Sequence, residues 1–240
     1  MPLPKIDLPV YDFTIPSNGK VIRVRPFTVK EEKLLLIAIE SKVAADIIAT
    51  VKQVINNCVQ DDNIDVDKLP FFDIDYLFIF LRAKSVGETV AVKLTCNNVV
   101  DDKPCGNEFM AEMDISNVEM VIYDGVEDDI NLGPQAGVKM RYPNYSIMRK
   151  VEELPEIDKK TFIIVSSIEY VYDAKGMHSY KDYTTDELKD FVEGLTEENY
   201  KKLEDYIDAF PAVAAKIDAV CPKCGFEHHV RYTDFFDFFI

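Results

Sequence analysis

The segment Cys221-Pro222-Lys223-Cys224-Gly225 constrains this chain more than any other. Two thiolates with two residues between them, on a tight turn with glycine after the second, can grip one tetrahedral ion while backbone N–H groups point at the sulfurs. Cys96 and Cys105 offer a second arm. They too lie between β-prone runs, and Cys105 is likewise followed by a glycine, Gly106. Two hairpins supplying two thiolates each would make a zinc ribbon. The first arm is unusual, because eight residues (Asn97 to Pro104) separate its cysteines where roughly two to four are typical. They read as a loop inserted into the knuckle.

Two other readings of the four thiols stand beside a structural zinc site: partly buried reduced cysteines without metal, and a redox pair at Cys221 and Cys224. Redox Cys-x-x-Cys motifs usually open a helix in a βαβ unit, whereas strands flank this one. Four thiolates leave no coordination position for water, so the expected ion is structural, about one zinc per chain, and not hydrolytic. His228 and His229 are expected one on each face of a strand, with either able to replace a cysteine if the Cys96 arm is too distant. The fifth cysteine, Cys58, falls on a helical stripe and reads as core.

Charge narrows the function classes. The 240 residues carry 27 basic and 43 acidic side chains, a formal net charge of 27 − 43 = −16. A field of that sign repels phosphate backbones and anionic bilayers, so neither nucleic acid nor membrane is an expected partner. Acidic residues Asp101, Asp102, Glu108, Glu227 and Asp234 also surround the cysteine elements. No apolar run reaches the roughly 18 residues of a membrane span. The N-terminal stretch lacks the layout of a secretory signal, so a reducing cytosol is expected, where metal ligation is favoured over disulfides. No small-molecule substrate is expected. Neither HExxH, GxGxxG, GxxxxGKS nor a Ser-His-Asp setting occurs, and the paired acids at 61–62, 101–102 and 128–129 read as solvated loops. The chain reads as no enzyme.

Hydrophobic periodicity predicts an α+β protein. Tyr11–Ile15 and Val21–Arg25 form a hairpin around Pro16-Ser17-Asn18-Gly19. Thr28 and Glu31 make a capping box for one helix running to about Gln60, with Leu36, Ile39, Val43, Ile47, Val51, Val54 and Cys58 along a single stripe. Asp73 is a candidate N-cap for a short apolar helix over Ile74–Lys84. From Glu88 the period changes to two. Val90, Val92 and Leu94 face Phe109, Ala111 and Met113 in a hairpin with cysteines at its tip. Short strands follow at 119–123, 130–132 and 138–141. Phe162–Tyr172 reads as helix, though its β-branched content permits a strand. Thr184 with Glu187, and then Thr196, cap two more helices.

Four regions are expected: 1–87, hairpin plus helices; 88–142, β-rich with the first cysteine hairpin; 143–212, helical; and 213–240, the second cysteine hairpin and an aromatic tail, forming one compact unit with 88–142. In that tail Phe235, Phe236, Phe238 and Phe239 either pack on the protein's own core or anchor another subunit.

The whole pattern resembles one family. Pro16-Ser17-Asn18-Gly19-Lys20, followed by 24–33 (VRPFTVKEEK), resembles the start of the baseplate hub assembly proteins of T-even-like contractile-tailed bacteriophages. The likeness continues through Tyr76-Leu77-Phe78 and 81–88 (LRAKSVGE). It recurs in 186–191 (DELKDF), Gly194-Leu195-Thr196, the CPKCG knuckle and Phe235-Phe236. The resemblance implies a non-enzymatic viral protein of tail morphogenesis. Its partners would be baseplate hub and tail proteins, including a tape-measure protein, met in the host cytoplasm during assembly or retained in the virion. A transient tail chaperone and, from another class, a zinc-ribbon adaptor of a transcription complex are the competing readings.

Overall fold

A computed structural model describes residues 6–123, 125–233 and 238. The N-terminal hairpin forms as the turn chemistry demands. Strand β1 (Tyr11–Thr14) pairs antiparallel with β2 (Val21–Val24), and Gly19 takes the left-handed φ of 69° that closes the turn. Glu31 caps the following helix by accepting the Thr28 N–H at 2.7 Å. The same carboxylate takes both terminal nitrogens of Arg25, at 3.0 and 2.8 Å.

The expected single helix is two helices. Helix α1 (Val29–Ser41) ends at Lys42, in the left-handed conformation at φ 57°, and α2 (Ala44–Cys58) starts after an extended Val43. A stripe of apolar residues runs on through the break, so periodicity is blind to one residue that reverses the chain. The stripe itself also shifts. In α1 the buried positions are Glu31, Leu35 and Ala38, while Leu36 and Ile37 face solvent. Cys58 is fully buried, as its place on the stripe requires.

Helix α3 (Phe71–Ser85) begins earlier than expected, with Pro70 as its N-cap. Asp73 is therefore no cap. It is fully buried and reaches back to the hairpin, where its Oδ1 accepts the Ser17 N–H at 3.0 Å. Buried residues line every side of α3, the mark of a helix enclosed by protein. Its Ile74, Leu77, Phe78 and Leu81 pack with the hairpin, α1 and α2. Its Ile79 and Ala83 face a second core made by strands.

That second core holds β3 (Thr89–Thr95) paired with β6 (Glu108–Asp114), as the alternation predicted, with Val90, Val92, Leu94, Ala111 and Met113 turned inward. On it lies a sheet in the order β13–β12–β7, made of β7 (Glu119–Val121), β12 (Ala212–Val220) and β13 (Glu227–Tyr232). Val213, Ala215 and Ile217 of β12 enter the same core, and so does Phe238.

A third core gathers the sheet β11–β10–β9–β8 and its helices. The strands are β8 (Asp129–Gly133), β9 (Ala136–Met140), β10 (Ile168–Asp173) and β11 (Gly176–Ser179). Helices α4 (Met148–Glu153), α5 (Glu156–Ser167), α6 (Thr185–Glu193) and α7 (Glu197–Asp208) accompany them. Phe162–Tyr172 is thus helix to Ser167 and strand from Ile168, where β10 finds β9 as partner. The caps at Thr184 and Thr196 hold, accepting the N–H of Glu187 and Asn199. The stretch 88–142 is shared between two cores, because β8 and β9 pack with the helices rather than with β3 and β6. An aromatic seam of Phe71, Phe72, Tyr142, Tyr206 and Phe210 joins the third core to α3.

Candidate metal centre

Cys96 follows β3 and Cys105 precedes β6. The intervening residues are a tiny hairpin rather than an open loop: β4 (Val99–Val100) pairs with β5 (Lys103–Pro104). Its two turn residues, Asp101 and Asp102, both have positive φ, 51° and 58°, as a type I′ turn requires. This lateral hairpin returns the chain to its starting point, so Cys105 N–H donates to the Asn98 carbonyl at 2.7 Å and the long spacer still delivers a close pair.

The two arms share one backbone plan. Cys96 N–H donates to the Asn107 carbonyl and Gly106 N–H to the Cys96 carbonyl; Cys221 N–H donates to the Phe226 carbonyl and Gly225 N–H to the Cys221 carbonyl, all at 2.8–3.1 Å. Gly106 and Gly225 sit at φ 58° and 73°, where a Cβ would be strained. Strand β12 packs against β6 and sets the two knuckles face to face.

The sulfurs of Cys96, Cys105, Cys221 and Cys224 all lie within 4.8 Å of one another. Cys96 Sγ is 3.6 Å from Cys224 Sγ, and Cys105 Sγ is 4.0 Å from Cys221 Sγ. A tetrahedron of thiolates about 2.3 Å from a zinc ion has edges of about 3.8 Å. Those two contacts bracket that edge, and both far exceed the roughly 2.05 Å of a disulfide bond. Cys96, Cys105 and Cys221 are buried and Cys224 is half-buried. The donor set is thus all sulfur, closed and largely shielded, the chemistry that suits zinc in a structural role.

Hydrogen bonds around the sulfurs complete the fit. Asn98 Nδ2 donates to Cys224 Sγ at 3.6 Å and Asn107 Nδ2 to Cys221 Sγ at 3.7 Å, each crossing from one arm to the other. Lys223 Nζ donates to the Cys105 carbonyl at 3.1 Å. Burial raises the Cys221 thiol, but the Cys224 and Lys223 N–H groups outweigh it and draw the thiol down to about 6. Cys224 is lowered as well, chiefly by the Phe226 N–H and then by the Asn98 amide. Cys96 moves the other way, pushed up to about 12 by burial first. Thiolates gathered this closely repel one another, and a divalent ion at their centre would offset that repulsion.

The two asparagines were not singled out from sequence, although a signal exists: each first-arm cysteine opens a Cys-x-Asn triplet, Cys96-Asn97-Asn98 and Cys105-Gly106-Asn107. The histidines fall on opposite faces of β13. His228 is buried against Phe109 and Phe226, and exposed His229 pairs with Asp218 at 2.6 Å. Neither belongs to the sulfur cluster. Of the aromatic tail, Phe238 is fully buried in the second core, so its ring packs on the protein itself; Phe235, Phe236 and Phe239 lie outside the described residues. Among the described residues no helix is long and apolar enough to cross a membrane.

A family model described as T4 bacteriophage base plate protein matches residues 8–240, nearly the whole chain. The chain belongs to that family. No curated protein and no solved structure matches it. This baseplate protein is thus a component or builder of a contractile tail, with other tail and baseplate proteins as its partners, and its four clustered cysteines are a part of the fold able to hold a metal.

Proposed function

We propose that this baseplate protein works in assembly of the baseplate hub through protein–protein contacts, without catalysis, and that one zinc ion held by Cys96, Cys105, Cys221 and Cys224 keeps its shape. The family match over residues 8–240 carries the assembly role. The sulfur spacing and the amide donors aimed at the sulfurs support zinc and a split zinc-ribbon module. The ion would fasten the C-terminal strand pair, β12 and β13, to the β3–β6 hairpin, two stretches far apart in sequence. Phe235, Phe236 and Phe239 remain the candidate anchors for a neighbouring subunit, and hub and tape-measure proteins the candidate neighbours.

Mass spectrometry of purified virions tests the reading. A stoichiometric amount in the baseplate is the expected result. Presence in infected lysate but not in virions would make the protein a transient tail chaperone. Co-purification with RNA polymerase in place of tail proteins would make it a transcription adaptor and overturn the hub assignment. Elemental analysis of the purified protein should find about one zinc per chain; none would remove the ion from the account.

A further inference from the structure

An open cleft of about 580 Å³ lies between α4, α5, the turn that follows β11 (residues 180–183) and the start of α6. Its charge is opposite to that of the molecule. On a chain of net charge −16, this cleft is lined by Arg141, Lys150 and Lys181 and, among the described residues, by no carboxylate. None of the three cations has a carboxylate oxygen within 4.0 Å among the described residues, unlike Lys84, Lys160, Lys189 and Lys216 elsewhere in the protein. They are held by aromatic faces instead. The Arg141 guanidinium stands 4.3 Å over the Tyr180 ring and spends its Nε on the Ile168 carbonyl at 3.2 Å. Lys150 Nζ lies 5.0 Å from the Phe162 ring and Lys181 Nζ 5.8 Å from the Tyr180 ring. Stacking fixes a guanidinium without neutralising it and leaves its two terminal nitrogens free for a planar oxyanion.

We infer that this cleft docks an acidic segment of a protein partner, with Arg141, Lys150 and Lys181 receiving its carboxylates. The inference deepens the assembly role proposed above by naming the chemistry of one contact, and it rests on that role. Two observations favour a peptide over a polynucleotide. The cleft wall mixes the cations and hydroxyls with Ile147, Phe162, Val165 and Leu188, which suits a segment carrying both carboxylate and apolar side chains. A nucleic acid would have to run on past an acidic surface, while a short segment needs only the cleft.

The test uses the full chain in infected cells. A photoreactive phenylalanine analogue at Thr185, an exposed cleft residue, should cross-link to another tail protein, and the cross-linked peptide should carry Asp or Glu. The double variant Lys150→Glu, Lys181→Glu leaves Arg141 and the packed core intact, since both lysines are exposed. It should fold normally by circular dichroism, cut the cross-link yield by about tenfold, and lower tail production. The peptide identified should bind the purified protein less tightly as salt rises. Cross-links to nucleic acid, to a segment without acids, or to nothing would overturn the inference, as would unchanged cross-linking in the charge-reversed variant. If deleting the whole protein abolishes tails while charge reversal changes neither tails nor cross-links, the cleft fails and the assembly role survives; if the deletion leaves tails intact, the assembly role itself fails.

Discussion

Removing the metal should open one end of the molecule and spare the other. The proposed ion would join Cys105 to Cys221, which are 116 positions apart. Closing a loop of that length costs about 4 kcal/mol. A structural zinc site contributes about 10–16 kcal/mol of apparent binding free energy in peptide hosts. The remainder is about 6–12 kcal/mol, comparable to the whole net stability of an ordinary domain, about 5–15 kcal/mol. Among the described residues the cysteine knuckles bury little apolar surface of their own, with Phe109 packing on the three buried thiols beside the half-buried Cys224. The apolar contacts of β12 on β6 and α3 are independent of the ion. Chelation, or Cys221→Ser, should therefore free the tips at residues 96–107 and 219–229 while α1, α2 and α3 stay folded. Hydrogen exchange followed by mass spectrometry reads this directly, with protection lost at the tips and kept in 44–58 and 71–85. At about 2–4 °C per kcal/mol for a chain of this size, the thermal midpoint should fall by more than about 10 °C. A chelated protein with the same midpoint and the same exchange pattern would refute the clamp.

Four further outcomes follow from particular contacts. Glu31 is held down to about 2, first by its hydrogen bonds from Arg25, so its stabilising effect is complete above its ordinary value of 4.5 and is lost as pH falls from there toward 2; Glu31→Gln should cost about 2 kcal/mol at pH 7 and almost nothing near pH 2, by urea denaturation. Asn107→Asp sets a carboxylate beside Cys221 in place of an amide donor and should weaken zinc binding by about tenfold to a hundredfold in a chelator competition. A Cβ on Gly137 would stand 2.3 Å from the Tyr172 hydroxyl and 2.7 Å from the Ile130 carbonyl. Gly137→Ala should thus destabilise by about 1–3 kcal/mol, with Tyr172→Ala in the same chain recovering only part, because the carbonyl is backbone. Phe238→Ala empties a fully buried position in the second core and should cost about 3–5 kcal/mol in thermal denaturation.

Local chemistry was readable wherever a short stretch carries its own partner. Thr184 and Glu187 satisfy each other's backbone within one turn, so the start of α6 shows in the sequence. The alternation through Val90, Val92 and Leu94 shows a one-sided strand for a similar reason, since period two is a property of the backbone itself. Where the partner is distant, the reading failed. Asp73 has the look of a cap, yet its acceptor is used by Ser17, 56 positions away. The β-branched content of 162–172 permits a strand, but where the helix gives way to it, after Ser167, is set by the edge that β9 offers. The reversal at Lys42 interrupts a pattern that runs unbroken on both sides of it.

The metal centre divides along the same line. Sequence alone supplied the four cysteines that cluster and the knuckle glycines, since these are covalent facts of short motifs. Only the tertiary structure decided that a type I′ hairpin restores the first pair, that the asparagines bond across the arms, and that three cations gather in one cleft. Each of those depends on groups from separate elements arriving at one place, and long-range placement is set by the packing of three cores together rather than by any local stretch of chain.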